Sequence, residues 1–139
     1  MDRGGSRTLE VRAPGVAPHV YAIGDVTRVP LPGRYDPNAP LVLPKAGVFA
    51  AAHGEVVARR IAAAVAGTDD PTRFTGEGFC YLEVGENQAI RAQGSFFALP
   101  HPVMQAAGAT ENQFLDKVRW VEEWSGLLNP GSAAGSPAP

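Results

Sequence analysis

The hydrophobic pattern of the first forty residues predicts one buried strand followed by a long connection. Residues 20–23 form a continuous apolar run that ends at Gly24-Asp25, which is typical of a strand buried on both faces of a parallel sheet. Residues 26–43 contain four prolines and one glycine, so we expect a loop, and ordered loops of this length are often functional. Residues 1–18 are polar and rich in glycine and proline, and a short strand could form at 8–12.

A long helix is predicted to follow this loop. Pro44 suits the first turn of a helix, where the missing N–H of proline costs nothing. Gly67 is a normal stop for a helix that ends near Ala66. The apolar spacing in the second half of the helix predicts one buried stripe, made of Val57, Ile61, Ala64 and Val65.

The pattern changes to strands after residue 71. Residues 79–84 and 88–93 are predicted strands, and the Gly85-Glu86-Asn87 step between them is a hairpin signal. Residues 96–99 could add a third strand. The low-complexity residues 129–139 are expected to be disordered. Before them, Glu111–Leu128 is a predicted helix with an apolar face of Phe114, Val118, Val121 and Trp124.

Length and element order fit one domain at most. A chain of 139 residues can bury roughly two-thirds of its unfolded surface, so an independent core is feasible. The elements predict an α/β fold, or α+β for the chain as an isolated fragment. The predicted segments are 1–18, then a strand, loop and helix over 19–67, then a hairpin plus helix over 68–128, and the tail 129–139.

Charge and cysteine content exclude several classes of protein. The net charge is −2 and no run of Lys or Arg forms a stripe, so nucleic acid is not an expected partner. No segment reaches the roughly 18–20 uninterrupted apolar residues of a membrane span, and the N-terminus lacks the apolar core of a signal peptide. One cysteine cannot form an internal disulfide. We therefore expect a cytoplasmic protein.

Asp25 is the first candidate for chemistry. A carboxylate at the carboxyl end of a parallel strand lies at the crevice where open α/β sheets bind ligands. There it could accept a charge-assisted hydrogen bond from a sugar-like hydroxyl. The alternative is a turn aspartate that caps the next segment, which is the commoner role of a Gly-Asp step seen alone.

The start of the predicted long helix is the second candidate. The helix start at Pro44, Lys45, Ala46 and Gly47 makes a site for negative charge, because the first turn of a helix has free N–H groups and carries the positive end of the helix dipole. Lys45 adds a formal positive charge at the same place. The alternative is an ordinary surface lysine, although the dipole mildly disfavours a cation at a helix start.

Cys80 lies in the first strand of the predicted hairpin. A lone cysteine is more often a buried small hydrophobe than a nucleophile, and both interpretations stay open on the residues alone. The nearby Gly76-Glu77-Gly78 step is no dinucleotide fingerprint, because its third glycine is missing and neither the preceding strand nor the following helix is predicted. The histidines fit no metal motif and are expected to be structural, namely His19, His53 and His101.

Two stretches, in this order, resemble a known family of flavoproteins. They are HVYAIGD at residues 19–25 and LPKAG at residues 43–47, and the Cys80 hairpin, the FFALP segment at 96–100 and the final helix follow with matching order and spacing. From about residue 8 to residue 124, the chain resembles the C-terminal part of FAD/NAD(P)-dependent oxidoreductases of the pyridine nucleotide-disulfide type, in the sulfide:quinone oxidoreductase-like branch.

The resemblance implies FAD as the cofactor and assigns residue roles. It implies that Asp25 accepts a hydrogen bond from the ribityl chain, and that the long helix points its positive N-terminus at the negative edge of a reduced flavin. Cys80 would be a redox cysteine that passes sulfide sulfur and electrons to the flavin together with a cysteine from an N-terminal half. A quinone or a nicotinamide is the implied substrate. The implied cofactor-binding residues are Gly24, Asp25, Pro44, Lys45, Ala46 and Gly47.

The sequence departs from the family in one respect. The family holds the FAD pyrophosphate with a Gly-x-Gly-x-x-Gly turn, and no such turn occurs in this sequence. We therefore expect an N-terminal Rossmann half or a homodimer partner to complete the sheet. The C-terminal helix carries both signs of charge, so membrane contact is not expected. The alternative function is that of a non-catalytic remnant that serves as a binding or dimerisation module.

Overall fold

The computed structural model describes residues 20–33, 36 and 38–128, and it shows a chain of mixed α and β structure. The predicted segments 1–18 and 129–139, with the strand expected at 8–12 and His19, lie outside the described residues. None of the helices in the described ranges has the length and apolar character that crossing a membrane requires. In chain order the elements are a 3-10 turn (Gly24–Val26), α1 (Gly47–Val65), β1 (Glu77–Gly85), β2 (Gln88–Ser95), β3 (Val103–Ala106) and α2 (Glu111–Leu128).

Two compact units make up the described chain. Unit 1 contains the described residues up to Cys80 together with Gln93–Gln105. Unit 2 contains Tyr81–Ala92 and the described residues from Ala106 onward.

Backbone hydrogen bonds join the two ends of the loop before α1 into a short antiparallel ladder, which supplies part of the core of unit 1. The Leu31 N–H donates to the Leu41 carbonyl and the Leu43 N–H donates to the Val29 carbonyl, both at 2.9 Å. These bonds satisfy backbone groups that would otherwise be buried without partners, so a loop can line a core. The loop contributes Val29, Leu31 and Leu43 to a buried cluster whose other members are Phe49, Val56, Phe74 and Phe96.

Helix α1 begins three residues later than predicted. Ala46 is its N-cap, with extended backbone angles of φ −153° and ψ 145°, so the predicted start at Pro44 is wrong. Pro44 and Lys45 lie in the extended chain that leads from the ladder into the helix. The predicted C-terminal stop is confirmed, because Gly67 adopts a φ of +68° directly after the Ala66 C-cap and donates to the Ala64 carbonyl.

The buried face of α1 differs from the predicted stripe. Val57 is buried, but Ile61 is 45% exposed and Val65 is 85% exposed. Ala64 is exposed as well. The core of unit 1 covers only the first three turns of the helix, so burial follows the neighbours rather than the apolar spacing. The buried residues of α1 are Phe49, His53, Val56 and Val57.

Residues 20–23 do not form the predicted buried strand. Ile23 has φ −135° and ψ 162°, which is β geometry. Val20 is 50% exposed and Ile23 is 39% exposed. The physical reason is that no described strand lies alongside this segment to pair with its backbone.

The predicted hairpin is confirmed as β1 and β2 of a three-stranded antiparallel sheet with the order β1-β2-β3. Its two turn residues, Glu86 and Asn87, have φ values of +50° and +54°, as a type I′ turn requires. The third strand is β3, so the prediction of a strand at 96–99 is wrong. Phe96 is buried in the core and the adjacent Phe97 packs against it too, whereas neighbouring residues of a strand point to opposite faces.

In unit 2, the tip of the β1–β2 hairpin and the segment before α2 are hydrogen-bonded. The predicted bounds of α2 are confirmed. Ala89 and Thr110 exchange backbone hydrogen bonds of 3.0 and 3.1 Å. The Lys117 ammonium pairs with the Glu83 carboxylate. Of the predicted apolar face of α2, Val121 is exposed and the others are half-buried, namely Phe114, Val118 and Trp124.

Candidate functional site

The Gly24–Val26 turn lies directly on the first turns of α1. Gly24 has a left-handed φ of +64°, and an added Cβ would lie 3.0 Å from the Ala50 Cβ. The Gly24 N–H donates to His53 Nδ1 at 3.1 Å. Glycine is required here for two reasons, because the backbone angle is left-handed and the approach to Ala50 leaves little room for a side chain.

Asp25 occupies the middle of this turn and is exposed. The turn is closed by Thr27, whose N–H and Oγ1 both donate to the Gly24 carbonyl, at 3.0 and 2.6 Å. Across the described ranges, the Asp25 carboxylate makes no ion pair and caps no helix. The exposed Asp25 side chain therefore projects from a turn whose backbone is held by hydrogen bonds.

The N-terminus of α1 begins beside this turn. Its N-cap, Ala46, supplies no side-chain hydrogen bond, and the first turn of the helix contains no acidic residue. Gly47 is exposed, and an added Cβ there would meet nothing within 4 Å. The partial positive charge of the helix start is thus neither capped nor neutralised by an acidic side chain of its own first turn.

Lys45 ties the turn to the start of α1. Its ammonium donates to the Thr27 carbonyl, 18 residues away in sequence. The side chain is exposed, so the charge remains near the surface of the same region. Lys45 also acts on the buried imidazole behind the turn, because burial and then the Lys45 charge lower the pKa of His53.

Cys80 is exposed near the end of the part of β1 that belongs to unit 1. Since side chains alternate along a strand, Cys80 shares a sheet face with Gly78. That face meets α1, because Gly78 lies against the ring of Phe49. The exposed thiol is therefore not the buried small hydrophobe that a lone cysteine usually is.

His53 is the site residue that the sequence analysis missed, since it was expected to be only structural. It is 2% exposed, it faces the Phe74 ring edge to face at 4.5 Å, and its Nδ1 binds Gly24. Its Nε2 is buried and has no hydrogen-bond partner among the described residues. The only available signal was a polar residue placed one helical turn after Phe49 on the buried face of α1.

The structure thus brings most of the predicted cofactor-binding residues together beside the turn. Gly24 and Asp25 on the turn lie beside Lys45, Ala46 and Gly47 at the start of α1. Pro44, directly before Lys45, lines an apolar cavity of about 450 Å³ in unit 1, together with Leu31, Leu41, Val42, Phe96, His101 and Pro102.

An exposed carboxylate, an uncapped helix start and a lysine within one region can bind a ligand that offers hydroxyl groups and an anionic edge. In the part of the chain that the structure covers, no group of three or more His, Cys, Asp or Glu side chains could hold a metal ion. No protein-family model, curated protein or solved structure matches the chain.

Proposed function

We propose that this chain is the C-terminal, FAD-binding portion of a flavin-dependent oxidoreductase that resembles sulfide:quinone oxidoreductases, and that it acts with an N-terminal Rossmann half. The observation that carries the proposal is the seating of the Gly24–Val26 turn on α1. The contact of Gly24 with Ala50 and its bond to His53 hold the Asp25 carboxylate beside the helix start.

The residues of this region fit the groups that FAD would present. Asp25 is an exposed acceptor for a ribityl hydroxyl. Gly47 leaves open space in front of the helix start, and the N–H groups there point toward an approaching anionic edge. Lys45 adds positive charge to the same region. FAD, when bound, supplies hydride and single-electron transfer, chemistry that no side chain of this chain provides.

The geometry of residues 20–25 and α1 supports a missing neighbour. Gly24 lies over Ala50, and the Ile23 Cδ1 lies 3.9 Å from the position of a Cβ on Gly54, so the end of the segment packs against α1. A strand and the helix that follows it also pack against each other in a βαβ unit. The backbone of the segment has no strand partner among the described residues, and an unpaired strand is a template for another chain.

A flavin titration tests the proposal directly. Purified chain is mixed with FAD, separated from excess by gel filtration, and examined by visible absorption spectroscopy. A retained flavin band, shifted from that of free FAD, supports the proposal. The proposal is contradicted if the protein is colourless both as the chain alone and after addition of a separately expressed Rossmann half from a related flavoprotein.

Asp25→Ala is expected to weaken FAD binding about 10- to 100-fold, the scale of one hydrogen bond to a charged group. The change leaves the turn intact, because Gly24, Thr27 and His53 close it without the carboxylate. Asp69→Ala is the matched control, since Asp69 is an exposed aspartate outside this region. Flavin fluorescence gives both affinities, and equal values for the two variants would show that the Asp25 carboxylate does not contact the flavin.

Cys80→Ser tests the redox role that we propose for the thiol. Serine keeps the size and exposure of the side chain but removes its redox chemistry. We expect unchanged FAD affinity and loss of sulfide-dependent bleaching of the flavin in the complex with the Rossmann half. Bleaching at the wild-type rate would show that Cys80 does not pass electrons to the flavin, and it would not contradict the proposed flavin site.

A second candidate function is that of a dimerisation module. The exposed apolar side chains of Val20, Ile23, Ile61 and Val65 favour it, because residues 20–23 and α1 present them without cover among the described residues. Sedimentation of flavin-free protein distinguishes the two functions. A dimer that Val65→Asp dissociates, in protein that never binds FAD, would favour the module.

A further inference from the structure

His53 sits behind the Gly24–Val26 turn and is almost entirely buried. Its Nδ1 accepts the Gly24 N–H at 3.1 Å. An imidazole nitrogen that accepts a hydrogen bond carries no proton, so the neutral ring must carry its proton on Nε2. The geometry therefore fixes both the charge and the tautomer of this histidine.

The other ring nitrogen is left without an acceptor. Nε2 is buried and unpartnered among the described residues, and the Phe74 ring lies against the imidazole edge to face at an interplanar angle of 83°. An unpaired buried N–H opposes folding. An apolar side chain at this helix position would avoid that penalty, so packing alone gives no reason for a histidine here.

Gly24 provides such a reason. Its N–H belongs to the left-handed residue that begins the turn, and the next residue is Asp25. The acceptor for that N–H is the imidazole Nδ1, and this hydrogen bond joins residues that are 29 positions apart. The bond holds the turn against α1 at the point from which the Asp25 carboxylate projects.

We propose that His53 is a positioning residue for the flavin site, and that its neutral Nε2–H form holds Asp25 in place through the Gly24 N–H. This inference rests on the proposed function. Protonation of Nδ1 replaces an acceptor with a donor, so two N–H groups then face each other and the turn is released from α1.

The charges around His53 favour the neutral form. Lys45, in the segment before α1, lowers the pKa of the imidazole in addition to the lowering by burial. The other charged residues on the turn, beside Phe74 and on α1 are Asp25, Arg73, Glu55, Arg59 and Arg60, of which Glu55 and Arg59 pair with each other. Burial and the Lys45 charge therefore both favour neutral His53 in the folded chain, and its pKa lies below the ordinary value of 6.5.

This neutrality has a defined sign of pH dependence. The pKa of His53 is lower in the folded chain. The contribution of neutral His53 to the free energy of unfolding is therefore fully present above pH 6.5, and it declines as the pH falls from that value toward the lowered pKa. Below the folded pKa the turn is released. FAD affinity is then expected to fall about tenfold per pH unit, because only the neutral form binds.

The test combines NMR spectroscopy of the wild-type chain with two variants. Long-range ¹H–¹⁵N spectra should show the Nε2–H tautomer, and the Gly24 amide resonance should move with the same midpoint as the imidazole. His53→Asn keeps an acceptor near the Nδ1 position and cannot titrate. His53→Leu keeps an apolar volume and removes the acceptor. We expect near wild-type FAD affinity without the acid-dependent loss in the first, and about tenfold weaker binding at neutral pH in the second.

The outcomes separate the two proposals. An Nδ1–H tautomer, or identical acid dependence of FAD affinity in wild type and His53→Asn, would overturn the positioning role while the flavin site stands. An absence of FAD binding at every pH, with the Nε2–H tautomer and the coupled Gly24 shift present, would overturn both the role and the proposed function. The NMR measurement needs no variant, so a substitution that fails to fold does not prevent the decision.

Discussion

Phe49→Ala is expected to lower the free energy of unfolding of unit 1 by about 3–5 kcal/mol, the cost of deleting a buried aromatic ring. Phe49 is buried in the core cluster and meets Phe74 and Phe96 edge to face, at centroid distances of 5.9 and 5.0 Å. Chemical denaturation followed by circular dichroism measures the change.

Val65→Ala is the control for this substitution. Val65 belongs to the same helix but is 85% exposed, so its truncation is expected to change stability by less than about 0.5 kcal/mol. Equal losses for the two variants would show that the core does not lie at the first three turns of α1. The loss at Phe49 should also weaken FAD binding, because Phe49 lies in the first turn of the helix whose start forms the site.

Gly78→Ala is expected to cost about 1–3 kcal/mol, although it adds only one methyl group to a strand. The added Cβ would lie 2.6 Å from Phe49 Cζ and closer still to Cε1, so either the ring or β1 must move. Gly78 has no left-handed φ that would add a backbone penalty, so the cost measures the contact alone.

Two comparisons isolate that contact. Gly108→Ala is the matched control, because an added Cβ at Gly108 meets nothing within 4 Å. In the Phe49→Ala background the ring is gone, so Gly78→Ala should then cost almost nothing, a strong departure from additivity. If Gly78→Ala still lowers stability in the Phe49→Ala background, the strain does not come from contact with the Phe49 ring.

The elements with strong local signals could be predicted from the sequence. The helix Glu111–Leu128, the two-residue turn at Glu86-Asn87 and the stop at Gly67 follow from periodicity and from backbone preferences that act within a few residues. The start of α1 was misplaced because Pro44 is equally at home in extended chain, and the φ of proline suits both conformations.

The missed features depend on residues far apart in the chain. Ile61 and Val65 have helical spacing, but their burial requires a neighbour that the described residues do not supply. The predicted strand at 20–23 failed as a buried strand for the same reason. His53 could not be assigned from its own surroundings in sequence, since its partner Gly24 is 29 residues away. A carboxylate beside a helix start was predictable, but the histidine that holds it there was not.

The ladder of the loop before α1 makes the geometry of the site independent of the length of the loop that connects the Gly24–Val26 turn to the start of α1. Lys45 is tied to Thr27, and behind that tie Val29 and Leu31 are bonded to Leu43 and Leu41. These cross-links fix how the turn meets the helix, whatever lies farther out along the loop. Because each doubling of a flexible loop costs only about 0.6 kcal/mol, the loop can be lengthened beyond Leu31 and Leu41, for example to recognise a partner, while the carboxylate and the helix start keep their positions.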